Sequence, residues 1–175
     1  MMAELPSLRD DAFWDTPVQE PLMPAVPAAS KQRKRRAYQE RMETRGRARA
    51  LQAMYAADMR DFTQLKRIAS QVFDDLSIVS EERLFASQVV ATVCEYGAEI
   101  DAALTAVTEN WRYERLGAIE RNVLRVAAAE FKRGSTPVKV VLQEAVRLAE
   151  RFGTERSARF VNGVLDQYAR RLGRL

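Results

Sequence analysis

Histidine is absent from this sequence, and cysteine occurs once, as Cys94. A Cys/His zinc site therefore cannot be assembled, no Ser–His or Cys–His nucleophilic pair exists, and no disulfide can close within the chain. Cys94 stands in a stretch of apolar periodicity and is expected to be a buried core residue, because a free thiol packs as a small hydrophobe. A single cysteine also fits a reducing cytosol. Glycine (7) and proline (6) are scarce among the 175 residues, and five of the prolines precede residue 28. Most of the chain thus lacks helix breakers. No apolar run approaches about 18 residues, so no membrane span is expected. The N-terminus lacks a basic residue followed by an apolar stretch, so it does not read as a secretory signal. These absences exclude much catalytic chemistry and fit a cytoplasmic protein.

What is present describes an ordinary globular chain, 47% hydrophobic and 30% charged. A domain of about 150 residues buries roughly 70% of its unfolded surface, so a proper core is possible. The net charge of +4 is unevenly spread. Residues 1–30 carry one basic and five acidic groups, and residues 31–60 carry ten basic and three acidic. A concentrated positive block favours a polyanionic partner over a merely solvated tail.

Residues 1–32 read as a disordered, Pro-rich, acidic arm that ends in a basic run: Pro6, Pro17, Pro21, Pro24 and Pro27 interrupt any helix, and no apolar face recurs. Residues 33–175 read as one compact all-α domain of five or more helices, without a convincing strand. The first helix is expected from about Arg35 to Ala57. Asp61 is the expected cap of the second, and Ser80 of the third, whose Phe85, Val89, Val93, Ile100 and Leu104 keep helical spacing. A fourth follows a link around Trp111, runs from about Gly117 and stops at Gly134. Thr136 and Pro137 open a fifth, and Thr154 caps a last one carrying Phe160, Val164 and Tyr168.

The first helix carries the clearest chemistry. At 100° per residue, Tyr38, Arg41, Arg45, Arg49 and Gln52 share a stripe of about 80°, with Leu51, Met54 and Tyr55 on the opposite and flanking side. One face can bury while the other presents guanidinium groups, whose planar forks suit phosphates. Tyr38 and Gln52 add a stacking surface and an amide able to read a base edge. Upstream, Lys31-Gln32-Arg33-Lys34-Arg35-Arg36 would add salt-sensitive attraction to any nucleic acid. Arg47 falls on the side that should bury. It either snorkels from the edge or pairs with a carboxylate on a packed helix.

Four segments resemble one family. Arg47-Ala48-Arg49-Ala50-Leu51-Gln52-Ala53-Met54-Tyr55 is similar to the opening helix of the transcription antitermination factors of the NusB family. Trp111 through Leu116, Ile119-Glu120-Arg121-Asn122-Val123-Leu124-Arg125 and Ala129-Glu130-Phe131 resemble that family's central helix. Pro137-Val138-Lys139-Val140-Val141-Leu142-Gln143-Glu144-Ala145-Val146 resembles the next, and Phe152-Gly153 through Ser157 with Arg159-Phe160-Val161-Asn162-Gly163-Val164-Leu165-Asp166 the last. Order and spacing match over about residues 36–172.

The resemblance implies an all-helical fold that binds boxA, a short single-stranded RNA element of ribosomal RNA leaders. It implies pairing with NusE, a small-subunit ribosomal protein, and action on RNA polymerase in an antitermination complex that supports ribosomal RNA transcription. It places Arg45, Arg47, Gln52 and Tyr55 at the RNA, together with Arg159 and Phe160, and the helical stripe adds Arg49 to the same RNA face. Phe160 would either stack on an unpaired base or simply pack in the core. The resemblance places the protein partner at Glu114, Glu120 and Arg125, where intramolecular ion pairs are the rival role. It implies no cofactor, and some members self-associate, so a homodimer stays open. The sequence departs from the family pattern where Met42-Glu43-Thr44 separates the motif from the main basic run, and where Arg156 replaces a commonly small or acidic residue.

Other functions fit less well. Similar helical domains precede ribosomal RNA cytosine methyltransferases, but the glycine-rich nucleotide-binding turn and catalytic cysteine such enzymes need are not found here. A DNA reader would need a short turn joining two helices at a fixed angle, and none is identifiable. A helical protein-binding scaffold, or an accessory of ribosomal RNA maturation without sequence-specific recognition, remains the alternative.

Overall fold

The computed structural model describes residues 28–108 and 113–175. The expected arm up to residue 27 and the link around Trp111 lie outside the described residues. Among the described residues six helices follow in order: α1 (Ala28–Asp58), α2 (Leu65–Asp75), α3 (Ser80–Thr105), α4 (Ala118–Arg133), α5 (Val138–Phe152) and α6 (Glu155–Arg171). Single 3-10 turns at Phe62–Gln64 and Tyr113–Arg115 lead into α2 and α4. Residues 36–175 form one compact unit. No strand occurs among the described residues, as the sequence pattern predicts. No helix among them is long and apolar enough to cross a membrane.

α1 begins at Ala28, seven residues before the expected start. From Ala28 to its end at Asp58 α1 holds no proline, and Ala, Lys, Gln and Arg are strong helix formers that sustain the helix without a packed face. From Met42 on, one side of α1 buries Met42, Ala50, Leu51, Ala53, Met54 and Ala57. Gly46 lets that side come close to α3. A Cβ there would lie 2.8 Å from the Phe85 Cβ and 3.0 Å from the Glu82 carbonyl oxygen. The helix propensity lost at this glycine is offset by contact between two helix backbones.

α4 is the centre of the domain, with every residue from Asn122 to Phe131 buried. It packs against α3, α5 and α6. Gly134 ends it in the left-handed region (φ 68°), donating its N–H to the Glu130 carbonyl at 3.0 Å. α6 opens with a reciprocal cap in which the Thr154 N–H donates to Ser157 Oγ at 2.8 Å. Its Val161, Val164, Leu165 and Tyr168 are buried, and the Tyr168 ring lies 5.7 Å from that of Phe131.

Several local expectations shift. Asp61 caps the 3-10 turn that precedes α2, accepting from the Thr63 N–H at 3.0 Å. Ser80 is the first residue of α3, and Val79 occupies the cap position. Thr136 spends its hydroxyl on Glu130, at 3.0 Å, and Pro137 stands at the cap of α5. Cys94 is exposed, not buried. Val93 takes the core side of α3, and the next residue is rotated by about 100° away from it.

Candidate nucleic-acid interface

The helical phase of α1 sorts its arginines into two environments. Arg45 and Arg49, four residues apart, lie on the outer face, with side chains 60% and 31% exposed. Both reach Glu82 in the first turn of α3. Arg45 Nη1 donates to one carboxylate oxygen and Arg49 Nε to the other, each at 3.3 Å. Arg49 Nη1 also donates to Gln52 Oε1 at 3.1 Å, so Arg45, Arg49 and Gln52 form one connected surface. Tyr55, one turn further, is exposed, as are Tyr38 and Arg41 in the preceding turns. Four of the five α1 residues expected at RNA thus reach solvent on this helix.

Arg47 is the fifth, and its direct contact with RNA is corrected by its burial. Its side chain is 2% exposed and points inward. Nε and Nη2 donate to the two oxygens of Glu130 on α4, both at 2.7 Å, in a bidentate fork. Nη1 lies 3.7 Å from Glu144 on α5, and the guanidinium stands 4.8 Å from the Phe85 ring centroid. Of the two roles open from periodicity, pairing with a carboxylate on a packed helix is the one the structure adopts. A guanidinium so engaged has no edge left for a phosphate.

A second surface opens where the end of α3, the start of α4 and the start of α6 meet. It is a groove of about 1330 Å³, lined by Phe160, Arg159, Arg156, Glu120, Arg115 and Arg171 among others. Arginines outnumber acids along it. The half-buried Phe160 packs against the core and also lines the groove. Among its described lining residues none comes from α1, so the structure brings Arg159 and Phe160 together with Glu120 but not with Arg45, Arg49 and Gln52.

The three residues expected at the protein partner separate. Glu120 lines the groove and accepts a hydrogen bond from the Ser157 hydroxyl. Glu114 belongs to the 3-10 turn Tyr113–Arg115, and its side chain lies outside the described residues. Arg125 is largely buried, and its placement at the partner surface is corrected in favour of intramolecular pairing. It forks onto Asp101 at 2.8 and 2.7 Å, reaches Asp58 at 3.5 Å, and stands over the Phe62 ring at 4.4 Å. Burial opposes its charge, but the Asp101 hydrogen bond together with the charges of Tyr113, Asp101 and Asp58 outweighs that penalty and holds its pKa above the ordinary arginine value. Tyr113 donates to the same Asp101 at 2.8 Å, and burial pushes the tyrosine pKa up. Asn122 and Arg121 complete the cluster by donating to Asp58 at 2.7 and 2.9 Å. This network ties the end of α1 to the start of α4.

Glu82 is the residue that sequence reasoning missed. Its only visible signal was an acid in the first turn of a helix, which the helix dipole explains by itself. Nothing in the pattern of α3 ties residue 82 to α1.

Fold and site define an all-α domain with one cationic helix face and one wide, arginine-lined groove. The comparisons with known proteins fall in line with that class. The NusB family model matches residues 44–170, and the chain belongs to the NusB family. The transcription antitermination protein NusB of Sorangium cellulosum is 40% identical over 131 residues, covering 74% of this chain and 93% of that relative. That of Anaeromyxobacter dehalogenans is 40% identical over 127 residues, covering 72% and 89%. Among solved structures, T. maritima NusB superposes with a TM-score of 0.68 at 30% identity, covering 73% of this chain and 90% of that one. The antitermination factors NusB and NusE in complex with double-stranded RNA provide a second, with a TM-score of 0.66 at 27% identity, covering 75% and 98%.

Proposed function

We propose that this chain is a cytoplasmic transcription antitermination factor that binds boxA-type single-stranded RNA together with NusE and acts by binding, not catalysis. The observation that carries this reading is the partition of α1, in which Arg45 and Arg49 face outward with Gln52 while Arg47 anchors the helix inward. Two guanidiniums and a neighbouring amide supply phosphate attraction and a base-reading group on one rigid element. A relative of the same fold that assembles with NusE and RNA supports the choice of partners.

Within this reading, Arg159 and Phe160 form a second RNA contact in the groove, where a base stacked on the Phe160 ring would contribute roughly 1–3 kcal/mol. Glu114 and Glu120 face the protein partner, and Arg125 serves them by fixing the start of α4. Phe160→Leu keeps the packed bulk and loses the π face. It is expected to weaken RNA binding about tenfold while the melting temperature falls little. A large drop in melting temperature with normal binding by the folded fraction would make Phe160 a packing residue only.

The function itself is tested by transcription in vitro. On a template with a boxA-like element ahead of a terminator, the chain plus NusE is expected to raise read-through by RNA polymerase with its antitermination factors. Read-through that ignores the element would contradict the reading.

A further inference from the structure

Glu82 lies directly beneath the cationic face of α1 and is almost completely buried, with its side chain 5% exposed. Its place is fixed by backbone contact, because α1 meets α3 at Gly46 with no room for a Cβ beside the Glu82 carbonyl oxygen. Its two bonds differ in kind from those of the buried pair nearby. Arg47 grips Glu130 with two 2.7 Å bonds of one fork. Glu82 instead divides itself between two arginines, taking one 3.3 Å bond from each. Arg45 and Arg49 are thus tethered from behind while much of each side chain stays in solvent. Through Arg49 the tether extends to Gln52, whose amide oxygen accepts the Arg49 Nη1 proton. That bond orients the amide and leaves its NH₂ group to meet a base.

We propose that Glu82 is a positioning residue for RNA that sets how strongly the α1 face discriminates between sequences. The proposal rests on the reading of that face as an RNA site. Two effects of the buried carboxylate act together. Its charge, close behind both guanidiniums, lowers the attraction of the face for any polyanion, which suppresses the sequence-independent part of binding. Its hydrogen bonds hold Arg45, Arg49 and Gln52 in one arrangement, so that an RNA whose phosphates and bases match it binds without ordering those side chains anew.

Two variants separate these effects. Glu82→Gln removes the charge and keeps the length, with one oxygen still able to accept from one of the two arginines. Glu82→Asp keeps the charge but is shorter by a methylene and cannot span both arginines. Binding of a boxA-like RNA and of a scrambled RNA of equal length is measured at two salt concentrations, with melting curves for each protein. E82Q is expected to bind the scrambled strand about three- to tenfold more tightly, with a steeper salt dependence, and the boxA-like strand with a smaller change. E82D is expected to lose about three- to tenfold on the boxA-like strand and little on the scrambled one. Both variants lower the ratio of affinities, from opposite sides, and E82D decides the matter if E82Q does not fold. A ratio equal to that of the original protein in the folded variants overturns the proposal, as does an equal loss on both strands that tracks a lowered melting temperature. If the original protein itself fails to discriminate, the RNA reading of α1 falls and Glu82 with it. A discriminating original with unchanged variants overturns the role of Glu82 alone.

Discussion

Arg47→Met is expected to destabilise the domain by about 3–5 kcal/mol, because it leaves a buried charge without its partner. The guanidinium satisfies both oxygens of Glu130 and lies within 4 Å of Glu144, and all three side chains are almost fully buried. Thr136 donates one further bond to Glu130, which cannot replace two charge-assisted ones. A domain of this size has a total stability of roughly 5–15 kcal/mol, so the loss should appear as a large fall in the denaturation midpoint. Combining it with Glu130→Met should recover part of the loss, since the pair is then removed together, leaving Glu144 its bond from Arg147. Chemical denaturation of both single variants and the double variant measures the coupling. A near-normal midpoint for the Arg47 variant would mean that the pair contributes little. The RNA affinity of the folded R47M protein should stay close to normal, which separates Arg47 from its outward neighbours.

For Arg45 and Arg49 the larger effect is expected on RNA binding. Replacing both with Ala should lower the melting temperature to some degree, because the nearly buried Glu82 loses both partners, so binding is compared for the folded protein. RNA binding should weaken about ten- to a hundredfold, the loss of two charge-assisted contacts. Each phosphate contact on a single strand contributes roughly 0.7 to the slope of log affinity against log salt, so that slope should flatten by about 1.4. An unchanged slope would remove the α1 face from the RNA site. Glu82 loses its partners in this variant, so melting curves belong with the titration.

Much of this architecture is legible in the amino-acid sequence because it depends on periodicity and punctuation. The apolar stripes of α3, α5 and α6, the glycine stop at Gly134 and the cap at Thr154 are local signals, and each lands where expected. The outward stripe Arg45, Arg49 and Gln52 is equally local, since helical phase alone brings it together. Long-range pairing is not local. The partners of Arg47 lie 83 and 97 positions away, and those of Arg125 at 24 and 67, so the phase of one helix indicates burial without naming the carboxylate that permits it. Glu82 escaped for the same reason. Cys94 was misplaced because a long helix covered unevenly by its neighbours does not hide every residue beside an apolar stripe. Thr136 was misread because a cap and a tertiary hydrogen bond use the same hydroxyl.

This domain is expected to recognise one kind of RNA strand and to do so more tightly with NusE. Equilibrium titration of a boxA-like RNA against a scrambled RNA of equal length, with and without NusE and at two salt concentrations, tests it most directly. Preferential binding of the boxA-like strand, strengthened by NusE and weakened by salt, is the predicted result. Equal binding of both strands with no response to NusE would contradict it and leave a basic helical scaffold in its place.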